Sequence, residues 1–285
     1  PTLPQVCERA LLLPCSPALL PRIAAAIADP DSSAEDIARI IMVDAALATS
    51  TLRLANSSYF SGGAPAATVA DAVVRLGQRE LFRLAALGLV SRWETVAGAR
   101  GEPGDFCRHA LCTAFAAEIL AEATEAVDPQ TAYTAGLVCD LGALAITHAC
   151  AAFFPVLRAH CASGRATWAE AERAVLGYTR AEVGAHLLRV WRFPEELVAA
   201  AAFCDRPAQA PAAAAALVAH VHAGKYVATS FGPGVPAEGF LFELDATVLA
   251  ANGFTPELLE ESMTLVHERA GALLKDRLTH GALAS

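Results

Sequence analysis

Apolar residues recur every three or four positions along almost the whole of this chain. The spacing is clear from Leu19 to Ile27 and again from Leu258 to Leu273, and intervening segments repeat it. No segment alternates apolar and polar residues for long enough to predict a β-strand. The pattern therefore predicts an all-α protein.

Capping signals set the expected helix boundaries. Ser32 and Glu35 have the spacing of a capping box, so we expect a helix to begin after Ser32. Thr255-Pro256-Glu257 combines an N-cap, a proline in the first turn and an acidic residue, which predicts a final helix running toward Leu278. Residues 1–16 carry little helical period and are interpreted as a lead-in without a helix. Pro129 to His148 is expected to form one helix.

Two glycine- and proline-rich stretches divide the chain. Ala97 to Asp105 contains three glycines and a proline, and Gly232 to Pro236 contains two of each. These breaks predict an N-terminal helical lobe (residues 1–98), a second helical lobe (residues 99–230) and a C-terminal helical extension (residues 231–285).

Composition argues against several classes of partner. The net charge is −9 over 285 residues and lysines and arginines do not cluster, so we expect no nucleic acid to bind. The most apolar region, Ala132 to Leu157, is interrupted by Asp140 and Pro155, so we expect no membrane span. No leader sequence is recognisable, and the eight cysteines show no CxxC spacing. We therefore expect buried thiols and a cytoplasmic location.

The stretch from Asp105 to His148 carries the chemistry that the rest of the chain must support. His109 is followed, about one helix later, by Cys139-Asp140. A metallohydrolase that holds its metal with a first histidine and a later His-Asp pair has this layout. In this chain a cysteine stands where the second histidine would be.

Five motifs in a fixed order extend this likeness. They are AEDIARIIMVDAALATSTLRLANSSYF (Ala34 to Phe60), DAVVRLG (Asp71 to Gly77), FCRHAL (Phe106 to Leu111), TAGLVCDLGAL (Thr134 to Leu144) and LGYTRAEVGAHLLRVWRFPEEL (Leu176 to Leu197). In these motifs the chain resembles the HDOD family, the HD-related output domain of bacterial signal transduction, over roughly residues 19 to 230. The resemblance implies two helical lobes, the second HD-like and related to HD phosphohydrolases, and a regulatory role.

The same comparison shows where the hydrolase pattern is lost. His109 and Asp140 keep their types, but Cys139 replaces a histidine, Arg180 stands where histidine is common, and Lys225 stands where a metal-binding aspartate is expected. A lysine ammonium would oppose a divalent cation directly. We therefore predict a degenerate site with no catalytic residue, no bound metal and no cofactor. We expect His109 and Asp140 to form a buried hydrogen-bonded pair instead.

Other chemistries remain open for the same residues. Cys139, Asp140 and His109 are all zinc ligands in type, but a fourth ligand is not evident. Cys139 could also be redox-sensitive, although a neighbouring carboxylate raises a thiol pKa, and this favours an inert buried thiol. His220 and His222 lie on different faces of a helix and are expected to have separate structural roles.

A polar corner follows the third expected helix. Arg53, Asn56, Ser57 and Tyr59 cluster where a helix ends and a loop begins. Asparagine and serine commonly cap helix ends, which is the structural interpretation. The alternative is a contact surface for a partner or a small ligand.

These observations lead to a non-catalytic regulatory module that binds a protein partner in a bacterial signalling pathway. The alternative is an effector that binds a cyclic dinucleotide between the lobes, with Arg53, Arg75 or Arg108 contacting phosphates. A residual metal-dependent phosphohydrolase is the third hypothesis. The sequence does not specify the partner, the pathway or the oligomeric state.

Overall fold

The structure is a computed structural model that describes residues 1–12, 19–57, 60, 64–97, 104–162, 166–230 and 244–279. Within these ranges the regular structure is helical and contains no strand, as the apolar period predicts. The α-helices are α1 (Leu3–Leu11), α2 (Leu19–Ala28), α3 (Ala34–Ile41), α4 (Ala45–Ala55), α5 (Val69–Ala97), α6 (Asp105–Thr124), α7 (Pro129–Val138), α8 (Leu141–Cys150), α9 (Phe154–Ala162), α10 (Trp168–Leu176), α11 (Arg180–Val190), α12 (Glu195–Phe203), α13 (Ala215–Thr229), α14 (Ala246–Ala251) and α15 (Pro256–Thr279).

Side-chain caps fix most of the helix starts. Ser33, and not Ser32, caps α3, because the Asp36 amide donates to Ser33 Oγ at 3.2 Å and the Ser33 amide donates to the Asp36 carboxylate at 2.9 Å. The predicted box of Ser32 and Glu35 was therefore wrong by one residue. The Ser-x-x-Asp spacing satisfies the same two amides. The break predicted at Gly232 to Pro236 lies outside the described residues.

The first residues form a helix that the sequence interpretation missed. The Thr2 amide donates to Gln5 Oε1 at 2.9 Å, and α1 follows with Val6, Cys7 and Ala10 buried. This helix packs against α8 and α11. A nine-residue helix with two prolines nearby gives too short a pattern to recognise, so the prediction of a lead-in was wrong.

The single helix predicted from Pro129 to His148 is broken at Asp140. The backbone of Asp140 leaves helical geometry (φ −101°, ψ 12°) between α7 and α8. Immediately after the break, Gly142 lies against α11, where an added Cβ would come within 2.0 Å of the Arg180 carbonyl oxygen. The break therefore lets α8 contact α11 closely and leaves Asp140 at a corner.

The same region is the one stretch of the described chain with the length and composition of a membrane helix. Residues Pro129–Cys161 reach a mean hydropathy of 1.8, but 67% of the most apolar window is buried inside the protein. The stretch comprises α7, α8 and most of α9, with the break at Asp140 and a short 3₁₀ turn at Ala151–Phe153 between them.

Helix α6 lies at the centre of the second half of the chain. Its residues from Ala110 to Ala121 are all buried, which is the pattern of a helix surrounded by others. Gly136 of α7 and Gly224 of α13 both face the Thr113 carbonyl oxygen, and a Cβ on either would lie 2.9 Å from it. These two glycines allow α7 and α13 to pack closely against α6.

Two buried glutamates join α5 to α6. Glu94 on α5 accepts hydrogen bonds from the amides of Gly104 (3.1 Å), Phe106 (3.0 Å) and Cys107 (3.2 Å), and so caps α6 from outside. Glu118 on α6, whose side chain is 1% exposed, is paired with Arg79 and Arg83 of α5.

The C-terminal helices dock on the same centre. Arg269 on α15 reaches Glu118 at 3.4 Å and Glu122 at 3.1 Å. His222 on α13 accepts a hydrogen bond from the Asp245 amide at 2.9 Å, just before the short helix α14, which the sequence interpretation missed. The helix predicted from Thr255-Pro256-Glu257 is confirmed as α15.

We predict that Gly142→Ala lowers the free energy of unfolding by about 3 kcal/mol, because the added methyl group would press on the α11 backbone. The matched control is Gly88→Ala in α5, where nothing lies within 4 Å of the added Cβ. Better helix propensity should make that variant up to about 1 kcal/mol more stable. Urea unfolding followed by circular dichroism measures both, and equal stabilities for the two variants would contradict the close approach.

Candidate functional site

The ammonium of Lys225 lies at the point where three helix ends meet. Lys225 belongs to α13, and its side chain is only 7% exposed. Nζ donates to Asp140 Oδ1 at 2.9 Å, at the corner between α7 and α8, and to Asp205 Oδ1 at 2.7 Å, just after α12. One buried positive charge is thus held by two carboxylates.

Two thiols complete this cluster, which we call the Lys225 cluster (Cys139, Asp140, Cys204, Asp205 and Lys225). The sulfur atoms of Cys139 and Cys204 and a carboxylate oxygen of Asp140 all lie within 4.8 Å of one another. The Lys225 Nζ is 3.7 Å from Cys204 Sγ. The Cys139 thiol also lies 3.2 Å from the Gly136 carbonyl oxygen.

His109 lies beside the cluster without joining it by a hydrogen bond. Its Nε2 is 3.8 Å from Asp140 Oδ2, too far for a hydrogen bond, and its buried Nδ1 has no partner among the described residues. The predicted hydrogen-bonded pair of His109 and Asp140 was therefore wrong. The reason is Lys225, whose ammonium satisfies the Asp140 carboxylate with a stronger, charge-assisted bond.

Burial and charge act in opposite directions on these groups. Burial alone would raise the pKa of Asp140, but the Lys225 ammonium, together with Arg180 and His109, outweighs it and holds that pKa below its ordinary value. Burial would lower the pKa of Lys225, but Asp140 and Asp205 raise it well above its ordinary value. The buried His109 has a lowered pKa, mainly because burial disfavours its charged form. At neutral pH Lys225 is therefore charged, Asp140 is ionised and His109 is neutral.

Arg180 belongs to a neighbouring cluster. Its Nε donates to Glu172 Oε1 at 2.9 Å, and its amide donates to Glu172 Oε2 at 2.7 Å. The indole of Trp168 donates to the same carboxylate at 2.9 Å, and the Arg180 guanidinium lies over the Trp168 ring. The sequence interpretation placed Arg180 among the positions of a lost metal site; the structure gives it the wholly buried Glu172 as its partner.

Some donor atoms of the Lys225 cluster are of the types that bind a divalent cation. Two thiols and a carboxylate are suitable ligands for zinc, and Cys204 supplies a further ligand beyond those considered from the sequence. The Lys225 ammonium, however, already contacts both carboxylates and one sulfur. Its charge would repel a dication at that position. The residues present do not fit a divalent metal.

The polar corner after α4 is engaged in local structure. The Asn56 side chain accepts from the Ala66 amide at 2.7 Å and donates to the Ala66 carbonyl at 3.0 Å, and the Arg75 guanidinium also contacts it. Ser57 Oγ donates to the Leu54 carbonyl at 2.7 Å. Arg53 is exposed on the surface, and Tyr59 lies outside the described residues.

The two histidines of α13 have separate partners. His220 Nε2 is 2.8 Å from Thr124 Oγ1, and its ring packs edge-on against Phe254. His222 Nδ1 is 2.7 Å from the Cys204 carbonyl oxygen, so its other nitrogen can accept from the Asp245 amide. The expectation of separate structural roles fits these contacts.

Two carboxylates that pair with the predicted site residues were not recognised from the sequence. Asp205 shares the Lys225 ammonium, and Glu172 holds Arg180. A signal for Asp205 was present, because Phe203-Cys204-Asp205 follows α12 and the chain contains only two lysines. Nothing in the local pattern distinguishes Glu172 from an exposed helix residue.

This chain is similar to known proteins in both sequence and fold. The model of the HDOD domain matches residues 13–207. An uncharacterized protein of Treponema pallidum is 29% identical over 196 residues, which are 65% of this chain and 36% of that protein. The chain thus spans about a third of the length of the curated relative that it matches.

Solved structures share the fold over nearly the whole chain. An HDOD domain protein of unknown function from Geobacter sulfurreducens has a TM-score of 0.69 at 22% identity, with 98% of this chain and 95% of that chain covered. A protein from Shewanella amazonensis whose name proposes a phosphohydrolase has a TM-score of 0.68 at 25% identity, with 93% and 95% covered. One from Marinobacter aquaeolei, named as a proposed signal transduction protein, has a TM-score of 0.74 at 23% identity, with 96% and 60% covered.

We predict that Lys225→Met lowers the free energy of unfolding by about 3–5 kcal/mol near neutral pH, because Asp140 and Asp205 lose their shared cation. Arg189→Met is the matched control. Its pair with Glu195 is largely exposed at 3.7 Å, so its loss should cost less than about 1 kcal/mol. Urea unfolding of both variants measures the difference.

The pH dependence of that loss has a defined sign. In the wild type the pKa of Asp140 is lowered, so its contribution is present at neutral pH and is lost as the pH falls through the folded-state value. Without Lys225, burial raises the pKa of Asp140. Acidification then protonates Asp140 and removes its unpaired buried charge, so the variant is destabilised less. The difference between wild type and Lys225→Met should shrink from about pH 7.5 to about pH 5. A constant or growing difference would contradict the role given to the ammonium.

Proposed function

The chain belongs to the HDOD domain family, and from this premise we propose that it is a non-catalytic regulatory module of bacterial signal transduction that acts by binding a protein partner. The observation that carries the proposal is the Lys225 ammonium, which is bonded to Asp140 and Asp205 at the position where a hydrolase would need a cation. A metal-dependent hydrolase uses its ion to activate water and polarise phosphate. An ammonium held by two carboxylates supplies neither chemistry.

The fixed charge also supports a scaffold role. Because Lys225 is covalently part of α13, the corner at Asp140 and the end of α12 are held together without any ligand. Large apolar side chains meanwhile remain on the surface, including Met42 (53% exposed) and Val43 (70%) just after α3 and Val74 (73%) on α5. Adjacent exposed apolar residues such as Met42 and Val43 suit contact with another protein.

Cyclic dinucleotide binding is the alternative, and the geometry supports it less well than protein binding. A phosphate ligand would need available guanidinium groups. Arg75 donates to the Ala55 and Ala64 carbonyl oxygens, and Arg108 lies 3.6 Å from Asp105. Calorimetric titration with cyclic dinucleotides tests this alternative, and a saturable heat signal would favour it over the protein-binding proposal.

Hydrolysis is tested with the purified chain, a phosphodiester and a nucleotide, in the presence of Mn²⁺ or Mg²⁺. We expect rates equal to the protein-free background for the wild type and for Asp140→Ala. A rate that is present in the wild type and lost in Asp140→Ala would refute the non-catalytic proposal.

Affinity capture from lysate of the source organism, with and without added nucleotide, then tests for a partner that binds without a ligand.

The replacement of a cation by Lys225 makes a second prediction. In Lys225→Asp the ammonium is gone and a third carboxylate joins Asp140 and Asp205, so the cluster should acquire affinity for a divalent ion. We expect Mn²⁺ to bind this variant at least about tenfold more tightly than the wild type, as measured by calorimetry. Lys225→Met, which removes the charge without adding a ligand, is the control. Equal Mn²⁺ affinity in all three proteins would contradict the interpretation of the site.

A further inference from the structure

Two cysteines from different helices meet inside the Lys225 cluster. Cys139 directly follows α7 and Cys204 directly follows α12, and the two residues are 3% and 1% exposed. Their sulfur atoms lie within 4.8 Å of each other. We propose that Cys139 and Cys204 are an oxidisable pair, at which a hydroperoxide converts two thiols into an intrachain disulfide.

The surroundings of this pair differ from those of Cys150 and Cys161. Cys139 has a second sulfur as its neighbour, whereas Cys150 lies 3.5 Å from the Tyr178 hydroxyl and Cys161 lies 4.0 Å from the Thr167 carbonyl oxygen. Cys204 also has a cation beside it, because the Lys225 Nζ is 3.7 Å from its sulfur.

The positions of the two residues permit the bond to close. A disulfide needs sulfur atoms about 2.05 Å apart and Cα atoms about 5.5 Å apart. Both cysteines lie at helix ends, on two helices that pack against each other. A helix end leaves its last carbonyl groups without intrahelical partners, so a small rotation there disturbs few hydrogen bonds.

A small oxidant can approach the pair from the side of the carboxylates. The side chain of Asp205 is 24% exposed and that of Asp140 is 12% exposed, so the cluster has an edge on solvent. The Cys204 thiolate attacks one peroxide oxygen; the S–O bond forms and the O–O bond breaks. The released hydroxide takes up the proton that the thiol lost and leaves as water.

The second step closes the disulfide. The Cys139 sulfur attacks the Cys204 sulfenic acid; the S–S bond forms and the S–O bond breaks, and the departing hydroxide leaves as water with the Cys139 proton. Each sulfur gives up one electron, and these two electrons reduce the peroxide. The product links α7 to α12 and takes the Cys204 thiol away from Lys225. This step is independent of the partner proposed above.

The test uses hydrogen peroxide on the folded chain, followed by alkylation of the remaining thiols, intact mass measurement and peptide mapping without reductant. We expect a loss of two hydrogens per chain, a cross-link between the peptides that contain Cys139 and Cys204, and its reversal by dithiothreitol. Cys139→Ser and Cys204→Ser should each abolish the cross-link. Cys161→Ser, which removes a thiol outside the cluster, should retain it.

Three results would overturn the proposal: eight free thiols after peroxide treatment, cross-links between other cysteines, or over-oxidation of one sulfur without a cross-link. The peptide map of the wild-type chain is sufficient to distinguish these results from the expected cross-link. The conclusion therefore holds even if a serine variant fails to fold. Circular dichroism of each variant identifies that case.

Discussion

The bond between Lys225 and two carboxylates is the constraint on which the second half of the structure depends. Removing an ammonium and two carboxylates from water costs several kcal/mol per ion, and only close, well-oriented contacts recover that energy. The contacts of 2.9 Å to Asp140 and 2.7 Å to Asp205 meet this condition. They place Asp140 in the break between α7 and α8, and Asp205 just after the end of α12. The same bonds therefore fix both the site and these helix boundaries.

The two halves of the chain are joined in the same way, by buried carboxylates. Glu94 of α5 takes the place of an N-cap for α6, and Glu118 of α6 receives arginines from α5 and from α15. Leaving any of these groups unpaired in the interior would be costly, which penalises displacement of one helix from another. The orientation of the N-terminal helices and of α15 on α6 thus rests on paired charges as well as on apolar packing.

Much of this architecture could be predicted from the sequence. The apolar period predicted an all-α fold, and the cap at Thr255 predicted the start of α15. The sequence comparison also singled out Cys139, Asp140 and Lys225, which the structure brings together. The break at Asp140 could not be predicted, because the close contact of Gly142 with α11 that accompanies it joins helices that are far apart in the chain. The pairing of Asp140 with Lys225 rather than His109 depends on distances between helices that no local pattern records.

A buried lysine responds to its surroundings differently from a bound metal ion. A metal site is assembled only when the ion is present, and its stability follows the ion concentration. The Lys225 ammonium is part of the chain, and its raised pKa keeps it charged well beyond neutral pH. The helices around it are therefore held together independently of any ion. The disulfide proposed between Cys139 and Cys204 would change this arrangement without any change in ion concentration.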